Sequence, residues 1–177
     1  MTYLLSDICT ITKGSTAIMK AIPGNYTMIT LGEDNKTHNE YQFDANAVII
    51  PLVSSTGHGH ASMNRVKYYE GKFALGNILS AIIPKDETIV NAKYLHLYLH
   101  ENREKLLVPL MKGAANVSLP IKRLNDVEVI IPNMERQLEI VKFENKIVLL
   151  KAEIDDLTNN SILMLKALLN EALKEKT

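Results

Sequence analysis

Apolar residues fall along this chain in two textures that meet near Pro132. Before it the runs are short and mostly strand-like. Tyr26 to Leu31 reads as a strand, and Gly32-Glu33-Asp34-Asn35 as the turn that follows. Ala47 to Val53 is rich in β-branched residues and predicts a buried strand. Arg65 to Tyr69 and Lys72 to Leu75 flank Glu70-Gly71, which predicts a hairpin. Ile78 to Ile83 predicts a strand closed by Pro84, and Val127 to Ile131 a last short one. Ser6 is placed to cap a short helix ending at Gly14. Asn91 is placed to cap a second helix, in which Tyr94, Leu95, Tyr98, Leu99, Leu106 and Leu107 partly follow a helical stripe and which Pro109 stops. Together these elements predict an α+β domain over residues 1–132, with a twisted mixed sheet and helices packed at one side.

After Pro132 the pattern changes. No Pro and no Gly stands between Met134 and Lys174, and Asn133 suits an N-cap. Ile140, Ile147, Ile154 and Leu168 share one heptad position, which Ser161 interrupts. Phe143, Leu150, Leu157 and Met164 share the second. That is the seam of a coiled coil over residues 133–177. Roughly 40 residues at about 1.5 Å each give a rod of about 60 Å. A helix of that length outruns a small domain, and its apolar stripe needs a partner. Asn159-Asn160-Ser161 either bends the rod or forms a polar layer that fixes its register.

Composition narrows the classes. The 177 residues suffice for one sizeable domain plus an extension, and 46% apolar with 23% charged residues is ordinary globular composition. Formal net charge is zero, and residues 1–132 carry thirteen Lys or Arg against twelve Asp or Glu. A protein that holds nucleic acid unaided relies on Lys and Arg to displace counterions. Positive charge must therefore be clustered on one face, or a partner supplies part of it. Cys9 is the single cysteine, so neither an internal disulfide nor a cysteine metal cluster can form, which fits a reducing cytoplasm. Met1-Thr2-Tyr3-Leu4-Leu5 lacks the features of a signal peptide, and runs such as Val48-Ile49-Ile50 are far too short to span a bilayer.

No catalytic constellation emerges. A DNA methyltransferase needs a glycine-rich cofactor loop and an Asn- or Asp-Pro-Pro-aromatic motif, and neither is present. Asp34/Lys36, Glu70/Lys72 and Glu144/Lys146 match the acid-then-lysine spacing of nucleases, but about two such matches arise by chance at this composition. His58-Gly59-His60 could form half of a metal site, and no third ligand stands at a motif spacing. Cys9, between Ile8 and Ile11, reads as a small core residue rather than a nucleophile. The expectation is a non-catalytic chain with no metal and no cofactor of its own.

A set of short segments in a fixed order carries a resemblance. Leu5-Ser6-Asp7-Ile8 is closed by Gly14; Tyr41-Gln42-Phe43-Asp44 leads to Val48-Ile49-Ile50-Pro51 and then to Gly57 and Gly59. Phe73-Ala74-Leu75 with Asn77, Ile82-Ile83-Pro84-Lys85 and Lys93-Tyr94-Leu95 follow. The most specific stretch is late: Gly113, Leu119, Leu124, Val127 to Pro132, then Glu135, Gln137 and Ile140-Val141, with Leu165-Lys166-Ala167-Leu168-Leu169 in the tail. In this order the chain resembles the specificity subunits of type I restriction–modification systems. There, the late segment is the exit strand of a target-recognition domain, a proline corner and the start of a conserved long helix. Two departures stand out. The family often has a double proline before its Glu and Gln, whereas here Pro132 precedes Asn133-Met134. Its members usually carry two recognition domains and two helices, and this chain has one of each, as in a half-subunit.

The resemblance implies a subunit that reads a short DNA half-site. Double-stranded DNA, methyltransferase subunits that bring S-adenosylmethionine, and a motor-nuclease subunit are the implied partners. Direct readout needs hydrogen-bonding side chains on a protrusion that fits the major groove. Ser54, Ser55, Thr56, His58, His60, Asn64 and Arg65 supply these on a glycine-relieved segment after a buried strand. Lys112 to Asn116 suits phosphate contacts through side chain and backbone N–H, and Lys13-Gly14-Ser15 is a third candidate. Lys20 and Lys36 are further phosphate candidates, although exposed lysines commonly serve only solubility. The seam residues predict a homodimer through the helix, antiparallel, with two recognition domains at opposite ends. The alternative is a coiled-coil assembly module without DNA specificity of its own, which the neutral charge favours slightly and the family pattern outweighs.

Overall fold

The computed structural model of the chain describes residues 1–54, 61–113 and 117–174. It divides into two compact units, Met1–Leu138 and Glu139–Thr177. In the first unit the chain runs through β1 (Thr2–Leu4), α1 (Leu5–Ile8), β2 (Cys9–Lys13), β3 (Tyr26–Ile29), β4 (Lys36–His38), β5 (Phe43–Asp44), β6 (Ala47–Pro51) and β7 (Val53–Ser54). It continues through β8 (Lys67–Tyr69), β9 (Lys72–Leu75), β10 (Leu79–Pro84), α2 (Ala92–Glu101), α3 (Arg103–Leu106), β11 (Val117–Ser118) and β12 (Glu128–Ile130). Helix α4 (Met134–Lys174) begins in the first unit and makes up the second. The α+β class with a long C-terminal helix is as the sequence pattern predicts.

Strands arrange into more than the one mixed sheet expected. An antiparallel sheet has the order β2-β10-β6-β8, and a mixed sheet has the order β4-β3-β9-β5, with β3 and β9 parallel. Two-stranded pairs β1-β12 and β7-β11 complete the set. Ile29, Ala47, Ile49, Phe73, Leu75, Leu79 and Ala81 form one buried cluster drawn from both large sheets. Every residue of β6 is buried, which is why its β-branched run carries no polar alternation.

Two predicted elements fold differently. The helix expected from Ser6 to Gly14 is a single turn, after which Cys9–Lys13 is a strand. Ser6 lies within that turn; the N-cap is Leu4, with no side-chain hydrogen bond. The β-branched alternation of Cys9-Thr10-Ile11-Thr12-Lys13 pairs in full register with β10, and that ladder outweighs a single helical cap. Gly14 follows the strand, and only a residue without a Cβ fits there, because a Cβ would run into the backbone of Leu75 and Gly76. The hairpin expected around Glu70-Gly71 does not form. β8 pairs with β6 and β9 pairs with β3 and β5, so the turn carries the chain from one sheet to the other.

The helix expected from Asn91 toward Pro109 is divided, α2 ending at Glu101 and α3 covering Arg103–Leu106, and the strand expected over Ala47–Val53 is divided at Leu52. Asn91 caps α2, its side chain accepting from the Tyr94 N–H at 3.0 Å. Asn133 accepts from the Arg136 N–H at 3.0 Å at the head of α4. The helix runs unbroken through Asn159-Asn160-Ser161, where Ser161 donates back to the Leu157 carbonyl. Among the described residues no helix is long and apolar enough to cross a membrane.

Candidate nucleic-acid interface

The register of the antiparallel sheet fixes which chain segments share an end. Ser80 pairs with Lys13, Leu79 with Pro51, and Ile49 with Lys67. The close of β2, the close of β6, the start of β10 and the start of β8 therefore lie at one end. β7 follows β6 there after a single residue, and its Ser54 pairs with Val117 of β11. Strand β7 leads into the segment after Ser54, and β11 is entered from the segment after Lys112. Because the two strands are antiparallel in this register, the end of β7 at Ser54 and the start of β11 at Val117 lie side by side. Lys112 and Ser118 close the second loop with a reciprocal backbone pair, each N–H donating at 2.8 Å. Gly113, at φ 118°, turns the chain there in a conformation that L side chains rarely adopt.

Lys13 belongs to the same end. With Val53, Asn77, Ser118 and Ile121 it lines an open cavity of about 280 Å³. Gln42 braces its loop: its Oε1 accepts from the Ser15 N–H and hydroxyl at 2.9 and 3.0 Å, and its Nε2 donates to the Lys13 carbonyl at 3.0 Å. The three segments singled out by sequence thus converge, although they lie far apart along the chain. Lys13 and Lys112 are both exposed there.

Single residues fare unequally. Ser54 is buried, 4% exposed, and its hydroxyl has no hydrogen-bond partner among the described residues. It pairs with Val117 within β7-β11. Asn64 is exposed and its Oδ1 accepts from Arg103 Nε at 3.0 Å. Arg65 is exposed as well, with Nη1 donating to the Leu31 carbonyl at 3.1 Å. Ser55, Thr56, His58, His60 and Asn116 lie outside the described residues. So does the His58-Gly59-His60 pair considered for a metal; among the described residues no group of three metal-ligating side chains occurs. Sequence reasoning missed Gln42, Asn77 and Lys67 as parts of this end. Gln42 and Asn77 stand out in the sequence only as parts of motifs and Lys67 not at all, because each acquires its place here from a partner remote in sequence.

The helix is rooted elsewhere. Gln137 is fully buried: its Oε1 accepts from the Asn91 N–H at 2.8 Å, and its Nε2 donates to the Ile89 and Pro132 carbonyls at 2.9 Å each. Ile89 and Asn91 follow the far end of β10, where Pro84 pairs with Cys9. The first turn of α4 is therefore fastened to the segment leaving the opposite end of the sheet from Lys13 and β7. Beyond it, in the second unit, Phe143, Ile147, Leu150, Ile154, Leu157, Met164 and Leu168 are all exposed, while Ile140 is half-buried. Ile162, Leu163, Leu165 and Leu169 are exposed as well, so the apolar stripe is wider than the two heptad positions. Where Ser161 interrupts the seam, an open depression of about 410 Å³ is lined by Ile154, Leu157 and Leu165.

The first unit thus brings Lys13, the end of β7 and the start of β11 to one end of its antiparallel sheet and fastens the first turn of α4 through Gln137. The sequence matches the family described as the type I restriction modification DNA specificity domain over residues 1–164, and the chain belongs to that family. No curated protein matches it. Among solved structures, the S subunit of a type I restriction–modification system from M. genitalium is similar, with TM-score 0.65 and 16% identity over 81% of this chain and 37% of that one. The HsdS subunit from Thermoanaerobacter tengcongensis has TM-score 0.58 and 19% identity, over 86% and 38%. A chain from a structure describing complex assembly and conformational transition of the type I R-M system has TM-score 0.65 and 20% identity, over 95% and 43%. These structural likenesses show the fold, and the chain spans less than half the length of each of these relatives.

Proposed function

We propose that this chain reads a DNA half-site with the end of the sheet that carries Lys13, the segment from Ser54 to Arg65, and the Lys112–Ser118 loop. The observation that supports it is the convergence of these three segments through β7-β11 pairing and the cavity beside Lys13. In this reading Lys13 and Lys112 contact phosphates, while Thr56, His58, His60, Asn64 and Asn116 face base edges. The chain itself is not a catalyst and takes no cofactor. A methyltransferase partner brings S-adenosylmethionine and the transfer chemistry, and a restriction motor subunit joins where the host system also cuts.

Helix α4 couples reading to assembly. Two copies pair through their exposed seams, antiparallel, and the paired helices dock the methyltransferase. The target is then two-fold symmetric, with two half-sites about one helical turn of DNA apart. Co-purification with a type I methyltransferase subunit from the same source, followed by mapping of methylated bases, tests the reading. A palindromic bipartite methylation site is the expected result. Methylation that is unchanged when this chain is absent overturns it and leaves the alternative of a pure assembly module.

A further inference from the structure

Arg65 and Lys67 stand at the start of β8, at the reading end, yet their cationic groups are turned onto backbone. Lys67 Nζ donates to the Gly32 carbonyl at 2.6 Å and the Thr30 carbonyl at 3.1 Å, and lies 3.4 Å from Asn35 Oδ1. Arg65 Nη1 donates to the Leu31 carbonyl between them. The same turn is closed internally by Thr30, whose hydroxyl donates to the Asp34 carbonyl at 2.8 Å and whose N–H reaches Asn35 Oδ1 at 3.5 Å. Burial draws the Lys67 amine below its ordinary value, with the Arg65 charge adding to that and Asp34 and Glu33 opposing it. The chain bends over Leu31–Asp34, and these side-chain contacts to three consecutive carbonyls fasten the bend.

The turn lies where such anchorage matters. It follows Ile29, whose carbonyl accepts from the Gly76 N–H, and Asn77 next to it lines the cavity beside Lys13. Ile78 in turn accepts from the Leu52 N–H, just ahead of β7. Residues 32–37 are exposed. We propose that Arg65 and Lys67 are positioning residues that fasten the Gly32–Asn35 turn into the reading end, so that the outer side chains of Glu33, Asp34 and Lys36 meet the duplex beside the loops after Ser54 and Lys112. This inference rests on the DNA-reading function proposed above. It moves Arg65 from reading bases to supporting a neighbour that does. A carboxylate at that place accepts from the cytosine amino group and repels phosphate, so it favours a correctly seated duplex over a displaced one.

The test uses the chain assembled with its methyltransferase, a duplex carrying the methylated sequence, and a scrambled duplex, at several salt concentrations. Lys67→Met is expected to cut the preference between the duplexes about tenfold, the scale of one lost base contact, with the salt slope unchanged. Lys67→Arg, which keeps donors facing the carbonyls, restores most of it. Glu33→Gln with Asp34→Asn is expected to lower the same preference while the chain stays folded, and this pair decides the matter if Lys67→Met fails to fold. In the wild type, DNA is expected to slow amide exchange across residues 31–35. If Lys67→Met instead weakens both duplexes equally and lowers the salt slope by about one, Lys67 is a phosphate contact and the proposal falls. It falls too if the Glu33/Asp34 pair leaves preference unchanged and DNA leaves exchange in the turn unaltered. A wild-type assembly that binds both duplexes alike overturns the DNA-reading function itself, and this inference with it.

Discussion

Gln137 carries three hydrogen bonds with no exposed surface, so its removal strands one N–H and two carbonyls at once. Gln137→Ala is expected to cost about 2–3 kcal/mol in unfolding free energy, the scale of buried polar groups left unpaired, read from the urea midpoint. The sequence pattern marks Gln137 only as part of a motif; its burial follows from Asn91, which no spacing rule connects to it. Cys9 gives a pH prediction. Burial pushes its thiol up to about 12, with Lys85 pulling the other way. Because the fold favours the neutral thiol, its contribution is intact below the ordinary thiol value and is lost as pH rises from about 9 to about 12. Urea midpoints should fall over that window more in the wild type than in Cys9→Ala, and alkylation at neutral pH should require unfolding. Lys112→Ala should weaken binding of the assembled complex to all duplexes alike and lower the salt slope by about one, measured by anisotropy titrations. Ser54 shows the limit at this scale. Its polarity beside a glycine-rich segment suggests a reader, yet pairing with Val117 buries it.

Elements were legible in proportion to how far their stability is local. Helix α4 spans Met134–Lys174, the bounds its cap and its lack of Pro and Gly predict, because helical hydrogen bonds and periodicity lie within a few residues. The strands from Tyr26, Ala47 and Leu79 were equally visible from β-branched runs. Their pairing was not: Cys9–Lys13 becomes a strand only because β10 lies beside it, and β8 and β9 separate into different sheets. The exposed seam of α4 carries its own expectation. Leu150→Asp with Leu157→Asp places two charges on its second heptad position and should convert a dimer to a monomer in multi-angle light scattering at tens of micromolar. A wild-type chain that is monomeric under those conditions would refute self-pairing.

At the scale of the molecule, charge decides how the chain meets DNA. Thirteen basic against twelve acidic residues over 1–132 leave little net field, so the chain alone is expected to bind duplex DNA weakly and with a shallow salt dependence. Affinity should rise steeply when the methyltransferase is added, as anisotropy titrations with and without it will measure. Tight, strongly salt-dependent binding by the chain alone would contradict this. The sequence by itself determined the α+β class, the helix and its bounds, the family, and three segments rich in groups able to contact DNA. The class and the helix follow from local periodicity and capping, the three segments from composition, and the family from the resemblance carried by short segments in a fixed order. Only the tertiary structure decided that the three segments share one end of a sheet, that the helix is rooted beyond the other, and that Arg65 and Lys67 turn inward to hold Thr30–Asn35. Those outcomes depend on strand register and on hydrogen bonds between residues tens of positions apart, where any one pairing is weak and only the packed whole selects among them.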